Sequence, residues 1–470
     1  MAAWQVAVAA VAGLALVGSA AWAGISAFGD RGDNTPSGAP TTSAAPVSPT
    51  TDSSGTPDPS ATPGPEPEPG PQTVGVDRAA TPTTWRLGAR DIAGKDVDGS
   101  VFSALAPADP RVPLPSRTVL TASTGEVTYL AGVEIATGNV TWQRELDRPV
   151  LRCFLIDADR AGCSSWGADG TATVSLLSLA NGTVLGESPV DAYAVLGLAA
   201  HPDGVLVAGQ KECEALLAVV PDAGGPALRS ELTRIAGEDG CGSDMIGGIE
   251  VNDRLIHVGT YPGGVIADRN TLETLDVAFS YNAPLQLEGA DGWTHDDGTS
   301  VILTTGAVDE VELSGARLSH YLCTTAPSFV AVGTQRVPLD GSPRTPLPSA
   351  AIEHDGITVA ACDWGFVVDS QSSEMTTPSR VIDAAGTELW SADLHGAQTL
   401  VAGPDALVMW GWSKLIGVST KDGTELWSVD VPESSDPDGP MDAPRFLPIG
   451  QAVLMQGGST IEALVFPAVP

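Results

Sequence analysis

Cysteine and histidine are the residue types in this chain best suited to metal or redox chemistry. No two of the six cysteines are adjacent, and the six histidines do not stand at spacings typical of metal ligands. Cysteines of an exported domain usually form disulfides. Loops between neighbouring strands favour three pairs, although the sequence does not choose among all possible pairings: Cys153 with Cys163, Cys213 with Cys241, and Cys323 with Cys362.

Two acidic turns, Asp96–Gly99 and Asp436–Asp442, are candidates for cation binding. Both lack the full register of oxygen ligands with a distal Glu that a calcium loop needs, so we interpret them as solvated turns. The chain also contains no Gly-x-Ser-x-Gly motif and no phosphate-binding Gly-Lys-Ser/Thr loop. Hydrolase and nucleotide-binding functions therefore lack support, and we predict no catalytic, cofactor or metal site.

The charge of the chain excludes one class of partner. Its 58 Asp and Glu against 23 Lys and Arg give a formal charge of −35. Affinity for nucleic acid comes mainly from clustered Lys and Arg, and no stretch of this chain supplies a cluster. Residues 85–470 carry 51 acidic and 21 basic residues, a charge of −30, which favours solubility and repels anionic head groups and wall polymers.

The first 29 residues are uncharged and mostly apolar. A bilayer core takes about 20 such residues, whereas the apolar part of a signal peptide has about 7–15. We therefore expect a retained single-pass anchor in the cell membrane, with the rest of the chain on the extracytoplasmic side. The alternative is a secreted protein, cleaved after Ala21-Trp22-Ala23.

Residues 30–84 have the composition of a tether. Between Asn34 and Thr73, 29 of 40 residues are Pro, Ser, Thr or Gly. Such a segment cannot bury enough apolar surface to offset its chain entropy, so we predict a disordered linker. The run Pro65–Pro69 should be its stiffest part.

Residues 85–470 predict an all-β domain. Short runs rich in β-branched residues, such as Gly204–Ala208 and Ala406–Met409, are separated by clusters of Gly, Asp, Asn or Pro. No window shows a sustained helical period with caps. This punctuation is typical of strands joined by tight turns.

A repeat organises these strands. Residues 132–142, 380–390 and 415–427 each contain a strand, a Gly turn and a tryptophan four residues after the glycine, namely Trp142, Trp390 and Trp427. The glycine meets the positive φ of a hairpin turn. The tryptophan then occupies one fixed position of the outer strand, where we expect it to fill the space between neighbouring sheets.

The spacing of the repeat predicts a propeller. With turns at 138, 182, 224, 270, 341, 386 and 423, the intervals are 44, 42, 46, 71, 45 and 37 residues, and one four-stranded blade takes about 40–45. Strands within Gln451–Phe466, joined by Trp85-Arg86-Leu87, should close the ring. We therefore expect about eight four-stranded blades, or seven if a weak copy is spurious, with residues 308–321 as a truncated blade or a decorated loop.

The three strongest repeats resemble the pyrroloquinoline quinone (PQQ) type repeat, whose pattern is Ala-x-Asp-x-x-Thr-Gly-x-x-x-Trp. The resemblance covers residues 85–470 by spacing and is motif-specific in three blades. It implies a β-propeller similar either to quinoprotein alcohol dehydrogenases or to non-catalytic BamB-like scaffolds, in a membrane-anchored bacterial protein. A quinoprotein is also expected to have adjacent cysteines beside PQQ, an Asp base and ligands for calcium; the chain has no adjacent cysteines.

We therefore expect a membrane-tethered extracytoplasmic propeller that acts as a non-catalytic binding or scaffolding module for a protein or cell-envelope partner. The alternative, implied by the resemblance, is a PQQ- and calcium-dependent dehydrogenase or another catalytic propeller. Trp410 and Trp412, next to Met409 and close to a turn, are the aromatic candidates for a contact surface. Core packing between blades is the competing role for at least one of them, because alternate residues of a strand point the same way.

Overall fold

The structure, a computed structural model, describes residues 76–467 except 110–111, 113–114, 125–126, 167–170, 236–247, 261–262, 279–284, 289–290, 297–299, 306–310, 315–322, 324–326, 353–356, 370–377, 393–396, 412–413, 431–444, 450 and 458. Within these residues there is one short helix, α1 (Ala89–Ala93), one turn of 3-10 helix (Ser349–Ala351) and 35 strands. None of the described helices is long and apolar enough to cross a membrane. The predicted anchor, residues 1–29, and most of the predicted linker lie outside the described residues.

The described strands form nine antiparallel sheets, which are the blades of a β-propeller. Blade 9 is completed by the first strand of the chain, β1 (Thr83–Gly88), which pairs with β35. Blades 1 to 3 contain β2 (Ser100–Ser103), β3 (Arg117–Ser123), β4 (Thr128–Glu134) and β5 (Val140–Leu146); β6 (Val150–Leu155), β7 (Arg160–Trp166), β8 (Ala172–Ser178) and β9 (Val184–Val190); β10 (Ala194–His201), β11 (Gly204–Lys211), β12 (Glu214–Val220) and β13 (Arg229–Arg234).

Blades 4 to 6 contain β14 (Gly248–Val251), β15 (Leu255–Thr260), β16 (Gly263–Asp268) and β17 (Thr274–Ala278); β18 (Leu285–Glu288), β19 (Gly292–Asp296), β20 (Ser300–Thr304) and β21 (Val311–Ser314); β22 (Phe329–Val332), β23 (Gln335–Pro338) and β24 (Thr345–Pro346). Blades 7 to 9 contain β25 (Ile357–Cys362), β26 (Gly365–Asp369), β27 (Ser379–Asp383) and β28 (Glu388–Ala392); β29 (Gln398–Ala402), β30 (Ala406–Gly411), β31 (Lys414–Ser419) and β32 (Glu425–Asp430); β33 (Arg445–Ile449), β34 (Ala452–Gly457) and β35 (Thr460–Val465), with β1.

The all-β propeller is confirmed, but the prediction of eight blades, or of seven, is wrong. The described residues form nine, because the 71-residue interval between turns 270 and 341 contains a whole sheet, β18 to β21. Its strands have only four or five residues. The segment 308–321, expected to be a truncated blade or a decorated loop, contributes the last strand of this blade, β21. Blade 5 escaped detection because it has short strands and because its glycine-to-tryptophan spacing, Gly289 to Trp293, ends in the second strand, β19, and not in the outer strand.

The apolar core of the described residues forms a ring. One buried cluster joins blades 9, 1 and 2 and includes Leu454, Leu130 and Leu155. Seven further clusters each join one neighbouring pair of blades, from blades 2 and 3 round to blades 8 and 9. Each sheet buries both of its faces against the neighbouring sheets. Successive residues of a middle strand are therefore apolar whichever face they point to, as in β12.

Antiparallel order gives the two ends of the propeller different connections. In a four-stranded blade, the turn from the third to the fourth strand lies at the same end as the turn from the first to the second. We call this end the brace face. The second-to-third turns and the connections between blades lie at the other end, which we call the crossover face.

A segment after β2, residues 104–109, ties several blades together at the brace face. The amide of Leu155 in blade 2 donates to the carbonyl of Leu105 at 2.9 Å, and the amide of Val251 in blade 4 donates to the carbonyl of Ala108 at 3.0 Å. We call this segment the strap. It links blade 1 to a blade three positions away in the ring.

Candidate interaction surface

Three repeat tryptophans lie between blades, each on the outer strand of its own blade. Each indole N–H donates to a backbone carbonyl of the next blade: Trp142 to Leu179 at 2.9 Å, Trp390 to Thr420 at 3.0 Å, and Trp427 to Arg78 at 2.9 Å. Trp85 of β1 does the same, donating to Ile135 of blade 1 at 2.8 Å. These four indoles brace the junctions from blade 7 round to blade 2.

The turn glycines make this packing possible. Gly182 has a φ of +69° and Gly423 a φ of +71°, which L side chains rarely adopt. A Cβ at Gly182 would overlap the ring of Trp142 from the preceding blade, and a Cβ at Gly423 would overlap Trp390. The glycine of the repeat therefore serves both the turn of its own blade and the tryptophan of the blade before.

Trp410, a predicted contact residue, is half-buried at the junction of blades 8 and 9. Its ring is tilted against Phe446 with centroids 5.3 Å apart. Its indole nitrogen is buried and has no hydrogen-bond partner among the described residues. Trp412 lies outside the described residues, so the contact surface of Trp410 and Trp412 stays a prediction.

A different aromatic pair, Trp166 and Tyr193, is exposed on the crossover face. Trp166 ends the second strand of blade 2, and Tyr193 lies in the connection to blade 3. Their side chains are 37% and 50% exposed, and the ring centroids are 6.0 Å apart with a tilt of 42°. The Trp166 indole donates to the carbonyl of Tyr193 at 3.1 Å, which fixes one residue relative to the other.

A bulge at the start of blade 2 adds a third apolar side chain to the same edge. The register of β6 and β7 shifts between Val150 and Arg152, so Leu151 is the extra residue, and it is 39% exposed. Bulges redirect side chains from their regular alternation. Shifts also occur where the first two strands pair in blades 3, 7 and 8.

The sequence did not single out Trp166 or Tyr193. They are 27 positions apart and come together only because the chain passes from blade 2 to blade 3 between them. No signal in the sequence separated Trp166 from the bracing tryptophans: it also follows a glycine, Gly162, by four residues, but Gly162 lies within β7 and not in a turn.

Of the six histidines, only His201, His257 and His295 lie in the described residues, and each has a carboxylate nearby. The Nδ1 atom of His257 is 3.6 Å from Glu250, and that of His295 is 3.3 Å from Asp276. Asp276 also accepts from the indole of Trp293 at 3.0 Å. Burial raises the pKa of Asp276, but the hydrogen bonds from His295 and Trp293 outweigh burial and hold this pKa below its ordinary value.

His201 is buried at the junction of blades 3 and 4. Its Nδ1 accepts from the amide of Asp203 at 3.1 Å, so the proton of the neutral ring is on Nε2, which lies 3.1 Å from the carbonyl of Arg269. Burial lowers the pKa of His201, and the positive charge of Arg229 lowers it further. Arg269 in turn binds Asp109 of the strap at 3.0 Å.

Two of the predicted disulfides are confirmed. Cys153 is joined to Cys163 across β6 and β7, and Cys323 is joined to Cys362. Cys213 is also disulfide-bonded, and Cys241 lies outside the described residues. The disulfides connect strands and loops and do not create a reactive thiol.

The described residues do not fit PQQ and calcium. No group of three or more His, Cys, Asp or Glu among them could hold a metal ion. In the first acidic turn, Asp96 lies 2.5 Å from Arg90 in an exposed ion pair, and the second turn, 436–442, lies outside the described residues. The disulfides join cysteines 10 and 39 positions apart, unlike the adjacent pair that a quinoprotein resemblance implies.

A cavity of about 500 Å³ opens beside blade 6. Arg336 in its wall lies 3.9 Å over the centroid of the Phe329 ring and 3.5 Å from the carboxylate of Asp363. The guanidinium is therefore already engaged on two sides. This leaves the Trp166–Tyr193 pair as the better candidate for a binding surface.

No family model matches the chain, and no curated protein matches its sequence. Similar solved structures include BamB from Moraxella catarrhalis, with 10% identity, a TM-score of 0.44, and coverage of 83% of this chain and 98% of that chain. They also include the computationally designed Ika8 protein, with 14% identity, a TM-score of 0.43, and coverage of 78% and 97%. The Dos1 propeller matches with 9% identity, a TM-score of 0.42, and coverage of 83% and 96%.

Proposed function

We propose that this chain is a membrane-tethered extracytoplasmic β-propeller that binds a protein or cell-envelope partner without catalysis. The uncharged segment 1–29 is the anchor, and the Pro/Ser/Thr-rich linker holds the propeller away from the bilayer. The disulfides Cys153–Cys163 and Cys323–Cys362 support an oxidising compartment outside the cytoplasm. The binding surface is the crossover face of blades 2 and 3.

The exposure of Trp166 and Tyr193 carries this proposal. Four other tryptophans are bound between blades through their indole N–H groups, whereas Trp166 and Tyr193 stay 37% and 50% exposed. Trp and Tyr are the residue types enriched at the energetic centres of protein interfaces, because they offer large rigid contact area. Because this pair is held in place, its aromatic surface stays exposed to solvent on the free propeller, and a bound partner would cover it.

Site-specific photocrosslinking in intact cells tests the proposal. The full-length chain carries a benzophenone amino acid at position 193, or at position 228 as the matched control. Leu228 is 58% exposed and lies in the connection between the third and fourth strands of blade 3, at the brace face. We expect a discrete crosslinked partner from position 193 and none from position 228.

The control outcome decides whether the surface is specific. Adducts of the same mass from both positions, or none from position 193 in cells where the chain is expressed from its own promoter, contradict the proposal. Reconstitution with PQQ and calcium tests the catalytic alternative separately. A new absorption band together with dye reduction would establish that alternative in place of the binding function.

A further inference from the structure

We propose that the Trp166–Tyr193 surface binds the cationic side chain of an arginine or lysine in an extended, basic segment of the partner. This inference rests on the proposed function and names the chemistry of its partner. The occupant is a protein segment and not a glycan because of the negative charge at this site.

The two rings are held open to solvent in a fixed relation. The Tyr193 amide donates to the carbonyl of Gln210 at 2.7 Å, and the Trp166 indole donates to the Tyr193 carbonyl at 3.1 Å. With a tilt of 42° and 6.0 Å between centroids, the rings do not stack flat on each other. The faces of Trp and Tyr rings attract a cation placed within about 6 Å of the centroid.

Carboxylates outnumber cations beside the rings. Asp191 lies two residues before Tyr193 and is 2.5 Å from the ammonium of Lys211. The hydrogen bond with Asp191 raises the pKa of Lys211, and the charges of Glu214 and Glu212 raise it further. Lys211 is also the cross-strand neighbour of Glu214, and Arg234 lies opposite Glu214 on the other side. The three carboxylates of Asp191, Glu212 and Glu214 therefore exceed the two cations, Lys211 and Arg234, by one negative charge at the edge of the aromatic pair.

The turn that carries these carboxylates is held in an unusual conformation. Glu212 has a φ of +52° and is one of two described non-glycine residues with a positive φ. The Gln210 side chain donates to the Glu212 carbonyl at 2.8 Å, and the adjacent Cys213 is disulfide-bonded. Glycine would adopt this φ at lower cost, and such outliers cluster at binding sites.

The charge of the whole chain favours the same partner. At −35, the protein repels anionic polymers and attracts basic segments over a range of about 10 Å at moderate salt. Long-range attraction does not by itself select a site. The aromatic pair and its flanking carboxylates supply the local recognition.

A pair of labelled peptides tests the inference on the purified full-length chain. The first is Gly-Ser-Arg-Gly-Ser-Arg-Gly-Ser-Gly, and the second carries citrulline, a neutral isostere, in place of both arginines. We expect the citrulline peptide to bind at least tenfold more weakly. The Tyr193→Leu variant, which keeps apolar area but loses the aromatic face, should bind the arginine peptide about three- to fivefold more weakly.

Charge-matched variants separate local recognition from general attraction. Asp191→Asn and Asp405→Asn each remove one exposed carboxylate that pairs with a lysine, Lys211 and Lys421 respectively, but Asp405 lies on the brace face. We expect weaker binding, by threefold or more, only for Asp191→Asn. Equal losses in both variants, or equal affinity for the two peptides, would overturn the inference.

The outcomes also separate this inference from the proposed function. If position 193 crosslinks a partner in cells while the arginine peptide binds no better than the citrulline peptide, the binding function stands and the cationic partner is rejected. If N-acetylchitotetraose binds and Trp166→Ala abolishes that binding, the surface takes a glycan and the inference is wrong. If position 193 crosslinks nothing and the peptides do not bind, both proposals fail.

Discussion

The junctions between neighbouring blades fall into two groups, which differ in how one blade is held against the next. From blade 7 round to blade 2, an indole N–H of one blade donates to a backbone carbonyl of the next. In three of these four junctions the acceptor is the first residue after the third strand, as when Trp142 donates to Leu179, whereas Trp427 donates to Arg78, which precedes β1. At the other junctions among the described residues no indole makes this bond, and these junctions differ from one another. The same turn geometry therefore tolerates several kinds of junction once the strands are in place.

Blades 3 and 4 show the substitution most clearly. Arg269 is the first residue after β16 and holds the same position as Leu179 after β8. Its carbonyl lies 3.1 Å from Nε2 of His201, so an imidazole N–H takes the place of the indole N–H. An indole does not titrate near neutral pH, whereas an imidazole does, so this junction depends on a protonation state and the indole junctions do not.

Blades 2 and 3 are joined without any side chain at the bracing position. Four residues after Gly182 the chain has Gly186 in place of tryptophan, and the amide of Gly225 donates to the carbonyl of Glu187 at 2.8 Å. A Cβ at Gly186 would overlap the backbone of Ala223 and Gly224. Direct backbone contact replaces the ring here.

Removing an indole brace should have the largest effect. Trp427 is 5% exposed, and its ring lies 5.5 Å from that of Phe466. Because Trp427→Ala leaves a cavity and an unpaired Arg78 carbonyl, we expect it to lower the free energy of unfolding by about 3–5 kcal/mol. Urea denaturation followed by circular dichroism measures this change. Trp166→Ala is the control, and a loss there as large as at Trp427 would contradict the division into bracing and surface tryptophans.

Adding one methyl group should disturb the junction of blades 2 and 3. Gly186→Ala places a Cβ against the next blade's turn, and overpacking of this kind costs about 1–3 kcal/mol. The neighbouring Leu185 is 41% exposed on the same strand, so Leu185→Ala should change stability by less than about 0.5 kcal/mol. Thermal melting of both variants decides the point. A neutral Gly186→Ala would show that the two blades are not in close backbone contact.

Sequence reasoning found what repeats and missed what does not. Six of the seven predicted turns join the third and fourth strands of their blades, the turn at 341 joins the last two of the three strands described in blade 6, and Trp85 closes the ring through β1 as expected. The signal was local there, since a turn glycine and its tryptophan are separated by only four residues. The outer strand of blade 5 carried no such signal, and neither did the contact between His201 and Arg269, 68 positions apart. Contacts of this kind join residues of neighbouring blades. A single sequence does not reveal them until each blade has been located along the chain.

The imidazole junction should make stability depend on pH. The folded-state pKa of His201 is lowered by burial and by Arg229, so its contribution is complete above the unfolded pKa of about 6.5 and is lost as pH falls towards the folded pKa. Protonation would place a positive charge on the His201 ring, between Arg229 and Arg269. A carboxylate oxygen of Asp203, 4.0 Å from Nδ1 of His201, would be its counter-charge. We expect a slope of at most about 1.4 kcal/mol per pH unit.

Urea titrations between pH 8 and pH 5 measure this slope in the wild type and in His201→Gln. The variant lacks the titrating group, so the difference between the two curves isolates His201 from the other carboxylates and histidines. A difference that is constant with pH would show that His201 does not titrate differently in the folded state. Trp142→Phe, at an indole junction, should lower stability equally at both ends of the range.

Filling the junction of blades 5 and 6 should have the smallest effect, and the opposite sign. A cavity of about 290 Å³ lies between Val311 of blade 5 and the turn glycine Gly341 of blade 6, where a bracing ring would otherwise pack. Val311→Leu adds apolar volume to this space, and we expect a gain of about 0.5–1 kcal/mol in the free energy of unfolding. Val330→Leu is the control, since Val330 is fully buried in the same apolar cluster and its enlargement should destabilise. Loss of stability in both variants would mean that this junction is already closely packed, and that an absent indole there leaves no usable space.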